Sequence, residues 1–140
     1  MRFIPHHVAI TVTDLDEAFQ FYKIFGFTVA NHWTSPDGDI DIVHMQLEQY
    51  LLEIFRYADG HPAPEAMQQL ATDLPTVGTK HHGVRVSDVD AAHDWVQSMG
   101  LQPESAVNEG KTGVRYFFIR DPSGNFFEVA EDFRPFLQPM

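Results

Sequence analysis

An internal repeat constrains this chain more than any other feature of its sequence. A strand-like segment that begins with histidine is followed by an aspartate, a helical stripe of apolar residues and a glycine, and this order occurs twice. In each copy 12 positions separate the aspartate from the glycine, from Asp14 to Gly26 and from Asp88 to Gly100. Two tandem modules of one topology are the simplest explanation.

The local signals within each copy predict one strand, one helix and three further strands. Asp14 is a predicted helix N-cap because Glu17 follows three residues later, as in a capping box. Gly26 is typical of a helix end. Alternating and β-branched segments predict the remaining strands, at 27–33, 39–46 and 50–57 in the first copy and near 101–107, 113–120 and 125–131 in the second. The predicted fold class is therefore α+β, with two βαβββ modules.

We place the first module at about residues 1–57 and the second at about 81–132, with a tail at 133–140. Residues 58–80 are rich in proline and glycine and predict a linker with one short helix from Pro64 to about Leu70. A length of 140 residues is typical of one domain, and the single domain 1–140 can bury a core without a disulfide or a structural zinc ion.

Composition excludes several classes of function. The chain has no cysteine, which excludes disulfides, thiolate metal sites and a cysteine nucleophile. Nine basic residues against 20 acidic ones give a net charge of −11, so we expect neither nucleic acid nor an anionic membrane as partner. No apolar run approaches the roughly 20 residues of a membrane span, and the start lacks a signal peptide. We expect a soluble, cytoplasmic protein.

The repeat also relates one histidine and one glutamate in each copy. These are His7 and Glu53 in the first module, and His81 or His82 with Glu128 in the second. Two imidazoles and two carboxylates suit a divalent ion such as Zn, Ni, Co, Fe(II) or Mn(II), with positions left for water or substrate. Pairs related by a repeat can converge on one point when the modules face each other.

Strand phase distinguishes the two adjacent histidines, because neighbouring strand residues face opposite sides. Val84 and Val86 mark the helix side of their strand, so His81 faces the other side, as His7 does, and His82 faces the helix. The capping aspartate lies seven residues after His7 and seven after His81. A second count favours His82 instead, since Glu53 lies 46 residues after His7 and Glu128 lies 46 residues after His82. A loop one residue longer in the second copy explains this difference. We therefore predict His81 as the ligand.

Four segments carry a resemblance to a known family. They are HVAITVTDLDEAFQFYKIFGF at 7–27, LLEIFRY at 51–57, HHGVRVSDVDAA at 81–92 and FIRDPSGNFFEV at 118–129. The chain resembles the vicinal oxygen chelate superfamily, which includes glyoxalase I, extradiol dioxygenases, methylmalonyl-CoA epimerase and the fosfomycin and bleomycin resistance proteins. The resemblance implies one open-cup domain around one divalent metal ion held by His7, Glu53, His81 and Glu128. It also implies a homodimer. The tail 133–140 is expected to pack either across the cup or against the dimer partner.

Within this superfamily the metal quartet is most similar to that of bacterial glyoxalase I. This resemblance implies an isomerase or lyase that acts on a small substrate with adjacent oxygens through a metal-bound enediolate, with Glu53 or Glu128 moving the proton. Predicted pocket residues are Thr11, Phe55, Arg85, Phe118 and Phe126. Thr11 and Tyr57 replace the arginine and asparagine with which glyoxalase I anchors glutathione, which argues against glutathione. An anionic substrate remains an alternative, because the chain has cationic side chains in this region, namely Arg85, Lys111 and Arg115.

Three alternatives remain. An extradiol-type dioxygenase would use His7, His81 and Glu128, but Phe118 stands where those enzymes need tyrosine. A methylmalonyl-CoA epimerase-like enzyme would account for the histidine doublet and the long linker, with Asp41 as its catalytic carboxylate. A bleomycin-resistance-like protein would bind a ligand without catalysis. The other histidines are interpreted as residues of the surface or the core edge, or as neighbours of the ligands that do not bind metal themselves: His6, His32, His44, His61, His82 and His93.

Overall fold

The computed structural model of the protein describes residues 1–135 and residue 137. The chain forms two compact units. The first comprises Met1–Asp73 together with the turn Asp121–Asn125, and the second comprises Leu74–Arg120 and the chain from Phe126 onward.

The first unit contains a four-stranded sheet with a ten-residue helix on one face. Asp14 begins the helix, since its side chain accepts a hydrogen bond from the backbone N–H of Glu17 at 2.9 Å. The strand order is β1-β4-β3-β2, in which β1 and β4 are parallel and the other pairs antiparallel. The elements are β1 (Val8–Thr11), α1 (Leu15–Ile24), β2 (Thr28–Thr34), β3 (Ile40–Leu47) and β4 (Tyr50–Tyr57).

The second unit repeats this arrangement. Asp88 caps its helix through the backbone N–H of Ala91 at 3.0 Å, and the strand order β5-β8-β7-β6 again has a parallel first pair. Its elements are β5 (His82–Val86), α3 (Val89–Ser98), β6 (Asn108–Glu109), β7 (Arg115–Arg120) and β8 (Phe126–Glu131). The predicted α+β class with tandem βαβββ order is confirmed, and the open-cup arrangement of the units stays a prediction.

Each sheet has a buried face under its helix and an opposite face with the predicted site residues. Alternation along the strands determines which residue lies on which face. The buried residues form the core of each unit, with Tyr22, Phe27, Val43, Met45, Leu52 and Ile54 in the first and Val89, Val96, Phe117, Ile119 and Phe127 in the second. The predicted glutamates point away from these cores.

Strand register relates the two units residue by residue. In the parallel pairs, Ala9 lies opposite Glu53 and Gly83 lies opposite Glu128. The residue two positions before Ala9 is His7, and the residue two positions before Gly83 is His81. The second unit therefore has one residue more between its first and last strands, as the phase argument requires.

The strand predicted at 101–107 is wrong. In this segment the backbone N–H of Glu104 bonds to β7, at the carbonyl of Phe118, and the short strand β6 follows at 108–109. Pro103 has no N–H to donate, and the side chains of Ser105 and Asn108 both donate to the carbonyl oxygen of Ala106, in place of a strand ladder.

The segment 58–80 contains a 3-10 turn at Glu65–Met67 and a short helix α2 at Leu70–Asp73, instead of one helix from Pro64 to Leu70. Of the tail 133–140, residues 136 and 138–140 lie outside the described residues, and Phe133 is exposed. No helix within residues 1–135 is long and apolar enough to cross a membrane.

Candidate metal centre

In the first unit, Glu53 lies between two histidines. His7, just before β1, has its Nε2 3.5 Å from Glu53 Oε2. His44 lies directly opposite Glu53 in the β3–β4 ladder, and its Nε2 is 2.9 Å from Oε1. All three side chains are partly exposed on the face away from α1. Both carboxylate oxygens of Glu53 thus have an imidazole partner.

In the second unit, His81 and Glu128 form the corresponding pair. His81 Nε2 is 3.0 Å from Glu128 Oε2. Phe118 lies opposite Glu128 in the β7–β8 ladder, and its ring is edge-on to the His81 ring at 4.8 Å. The backbone of Gly83 lies close to Glu128, because a β-carbon there would be 3.0 Å from the carbonyl oxygen and 3.1 Å from the Cβ of Glu128.

His82 faces the opposite side of its strand. It is 5% exposed, and its ring lies 4.9 Å from that of Phe127 in the core. Burial, with a smaller contribution from His81, lowers the pKa of His82 to about 4, so this imidazole is neutral at pH 7. His82 therefore occupies the place that Val8 has in the first unit.

The donor atoms suit a divalent ion of intermediate hardness. In each unit an imidazole Nε2 faces a carboxylate oxygen, and the Nδ1 of His81 is buried with no hydrogen-bond partner among the described residues. Among residues 1–135, no three or more histidine, aspartate or glutamate side chains are grouped to hold a metal ion. The geometry thus consists of one His–Glu pair in each unit, and their union in one quartet stays a prediction.

The predicted pocket residues lie on the same faces as these pairs. Thr11 is exposed and lies opposite Phe55, whose ring stacks on that of Tyr57 at 6.5 Å. In the second unit Phe118 and Phe126 are both 6% exposed, with ring centroids 6.1 Å apart. The first unit therefore offers an accessible aromatic surface and the second a largely buried one.

Arg85, the predicted cationic pocket residue, shares the face of His81 and Glu128. Its Nη1 donates to the carbonyl oxygen of Asp132 at 3.4 Å.

Asp41, considered as a catalytic carboxylate, lies on the helix side of β3. It is 4% exposed and accepts hydrogen bonds from Thr34 Oγ1 at 2.6 Å, His32 Nε2 at 2.8 Å and Arg56 Nη2 at 2.9 Å. These donors, Thr34 first, lower the pKa of Asp41. The β3 residue that faces Glu53 is His44.

The contact of His44 with Glu53 was absent from the sequence prediction, although a signal for it existed. In a hairpin, residues equally distant from a two-residue turn lie opposite each other. The turn at 48–49 joins Leu47 to Tyr50, and the same count pairs His44 with Glu53.

Arg115, considered for anion binding, is occupied by carboxylates. Its guanidinium contacts Asp90 at 2.8 Å, Glu109 at 3.1 Å and Glu131 at 3.4 Å. These partners, Asp90 first, raise the pKa of Arg115. Because Glu131 also accepts the backbone N–H of Val89 at 3.0 Å, the cluster supports the start of α3.

Comparison with known proteins agrees with this architecture. Residues 4–129 match the model of the Glyoxalase/Bleomycin resistance protein/Dioxygenase superfamily. A 2-epi-5-epi-valiolone epimerase from an Actinomyces species is 30% identical over 145 residues, covering 89% of this chain and 76% of that protein. The protein YaeR of Escherichia coli K12 is 28% identical over 128 residues, covering 90% and 94%.

Among solved structures, a glyoxalase family protein from Enterococcus faecalis superimposes with a TM-score of 0.77 at 23% identity, covering 91% of this chain and 97% of that one. This similarity supports the fold, and the family match extends over most of the chain. The protein therefore belongs to the glyoxalase/bleomycin resistance protein/dioxygenase superfamily.

Proposed function

We propose that the protein is a divalent-metal-dependent, glyoxalase I-like isomerase or lyase that acts on a small substrate with two adjacent oxygens. Its metal ligands are His7, Glu53, His81 and Glu128. The observation that carries this proposal is the repetition of one His–Glu contact at the same register position in both units. A histidine–carboxylate contact kept by both copies of a repeat is better explained by a shared chemical role than by two independent surface ion pairs.

The ion, when bound, supplies Lewis-acid stabilisation of negative charge on the substrate oxygens. The donor set contains no thiolate, so Ni, Zn, Co, Mn or Fe(II) are the candidates, with about one ion per chain. In the second unit a glycine at position 83 fits this arrangement, because a side chain there would crowd the backbone oxygen and Cβ of Glu128.

The proton transfer is assigned to a glutamate, and the contacts favour Glu128 over Glu53. Among the described residues, Glu53 has a histidine on each carboxylate oxygen, whereas Glu128 has only His81 and is flanked by the apolar ring of Phe118. A carboxylate with fewer partners moves more easily. Glu128 would take a proton from a carbon next to a carbonyl and return it to the neighbouring carbon, so the substrate isomerises with no net loss of protons.

A second candidate is an epimerase, which returns the proton to the carbon from which it came. The Actinomyces relative, 30% identical over most of this chain, is named as such an enzyme. Thr11 and Tyr57 also stand where glyoxalase I needs residues that anchor glutathione. In either case we expect a small-molecule substrate and a homodimer.

The first test measures metal content. Protein purified without affinity-tag metal, then loaded in turn with Ni, Co, Zn, Mn and Fe(II), should hold about one ion per chain by mass spectrometry. His7→Ala and His81→Ala should lose it. His82→Val, which copies Val8 of the first unit, should retain it. Absence of metal from the wild type under all five conditions would favour a non-catalytic, ligand-binding protein.

The second test separates the reactions. The metal-loaded protein is incubated with the methylglyoxal–glutathione hemithioacetal, and separately with small α-hydroxyketones in D2O followed by NMR. Turnover of the hemithioacetal supports the glyoxalase I-like activity. Deuterium incorporation with inversion at a single carbon supports the epimerase, and oxygen consumption with a catechol and Fe(II) would favour a dioxygenase instead.

A further inference from the structure

The two candidate glutamates differ in one neighbour. In each unit the central antiparallel ladder places one side chain directly opposite the glutamate on the same face of the sheet. Opposite Glu53 this residue is His44, and opposite Glu128 it is Phe118. The two units can therefore be compared at this position, where the glutamate faces an imidazole in the first unit and a phenyl ring in the second.

The imidazole contacts the carboxylate directly. His44 Nε2 lies 2.9 Å from Glu53 Oε1, whereas the other oxygen, Oε2, lies 3.5 Å from His7 Nε2. Because an ionised carboxylate only accepts hydrogen bonds, the Nε2 of His44 donates. The contact leaves Oε2 on the side of His7, where a shared ligand position would lie.

We infer that His44 is a positioning residue that orients Glu53 for metal binding. The inference rests on the proposed metal site. His44 is not one of the four proposed ligands, because the residue at its place in the second unit is Phe118, which cannot bind a metal ion. Partners of this kind fix the rotamer of a metal-ligating side chain, and their removal costs about 10- to 100-fold in metal affinity.

If His44 only stabilised the fold, replacing it would lower the melting temperature of the metal-free protein. The His44 side chain is 29% exposed, so its loss opens no cavity in the core beneath α1. Replacing it should therefore affect the orientation of Glu53 much more than the melting temperature of the metal-free protein.

Three variants test this inference. His44→Phe copies Phe118 and removes the donor. His44→Gln keeps an N–H donor of similar reach. Gln46→Ala is the control, since Gln46 lies two residues along the same face of β3 and donates to the carbonyl of Glu48 instead of to Glu53. Metal affinity is measured by chelator competition and by the Co(II) absorption spectrum, and melting is measured without metal.

We expect His44→Phe to bind metal about 10- to 100-fold more weakly with an altered Co(II) spectrum, and His44→Gln to recover most of the affinity. Gln46→Ala should match the wild type. If the wild type binds metal and His44→Phe binds it equally well, the inference is wrong and the proposed function stands. Weaker binding that His44→Gln does not restore, with a lower metal-free melting temperature, would show a structural role and also overturn it. If the wild type binds no metal, both are wrong.

Discussion

The hydroxyl of Tyr22 donates a hydrogen bond to Asp121 Oδ2 at 3.0 Å, joining α1 to a turn 99 positions later in the chain. Both residues are buried, and Asp121 Oδ1 accepts the backbone N–H groups of Ser123 and Asn125 at 2.9 and 2.8 Å. Burial is the main cause that raises the pKa of Asp121. The contact therefore stabilises a carboxylate that burial alone would disfavour.

Tyr22→Phe should lower the free energy of unfolding of the metal-free protein by about 1.5–3 kcal/mol, because it removes a donor from a buried carboxylate. The pKa of Asp121, followed by carboxyl NMR, should rise further, since the Tyr22 hydrogen bond favours the ionised form. Tyr57→Phe is the control, because Tyr57 is 41% exposed. Equal losses in urea denaturation of the two variants would contradict the assignment.

The lowered pKa of Asp41 in the folded protein should make the stability of the protein depend on pH. Its hydrogen bonds lower its folded pKa below the usual 3.8. The unfolded chain therefore binds a proton first as pH falls, so the stability from Asp41 is present above pH 3.8 and is lost as pH falls through the folded pKa. Asp41→Asn should be about 1–3 kcal/mol less stable at pH 7, and the difference should shrink below pH 3.8.

The measurement is urea denaturation at several pH values between 7 and 3. Asp59→Asn, at an exposed position after β4, controls for the loss of one negative charge from an acidic protein. A deficit of Asp41→Asn that stays constant down to pH 3 would show that the carboxylate charge is not what stabilises this cluster.

The sequence predicted most of the fold because its signals were local and occurred twice. Asp14 and Asp88 cap their helices as expected, and strand phase placed His81, not His82, on the face of Glu128. Metal ligation by these residues remains a proposal, since alternation predicts which way a side chain faces and not what it binds.

The missed features depend on register or on distant contacts. The contact between His44 and Glu53 can be predicted only from the register of the β3–β4 hairpin, and this register depends on which two residues form the turn. Asp41, named as the carboxylate of the epimerase-like alternative, lies with Val43 and Met45 on the helix side of β3, which its alternation along the strand determines. The Tyr22–Asp121 contact joins segments too far apart for any local pattern to indicate it.

Arg115 should matter for stability and not for the reaction. Its three carboxylate partners lie around the start of α3 and the edge of the second sheet, on the face opposite Glu128. Arg115→Gln should lower the melting temperature, and the difference from wild type should shrink in 1 M salt, which screens partly exposed pairs. Metal content and turnover should stay unchanged. Lys111→Gln, in the adjacent exposed turn, is the control, and a rise in KM for Arg115→Gln without a stability change would restore Arg115 as an anion-binding residue.

The variant Gly83→Ala tests whether the close approach of the β5 backbone to Glu128 matters for metal binding. An alanine Cβ at this position would meet the backbone oxygen and Cβ of Glu128 at 3.0 and 3.1 Å, so either the strands separate or Glu128 moves. Gly83→Ala should therefore weaken metal affinity by about tenfold, measured by chelator competition.

Two controls accompany this measurement. Gly60→Ala creates a similar approach, 3.1 Å from the carbonyl oxygen of Tyr57, without touching a candidate ligand, and should bind metal as the wild type does. Ala9→Gly removes the β-carbon at the equivalent position opposite Glu53 and creates no crowding there. Because backbone crowding is common to Gly83→Ala and Gly60→Ala, only a loss of affinity confined to Gly83→Ala would connect the space at Gly83 to Glu128 as a ligand. Equal affinities in both variants would contradict the connection between the close approach at Gly83 and metal binding by Glu128.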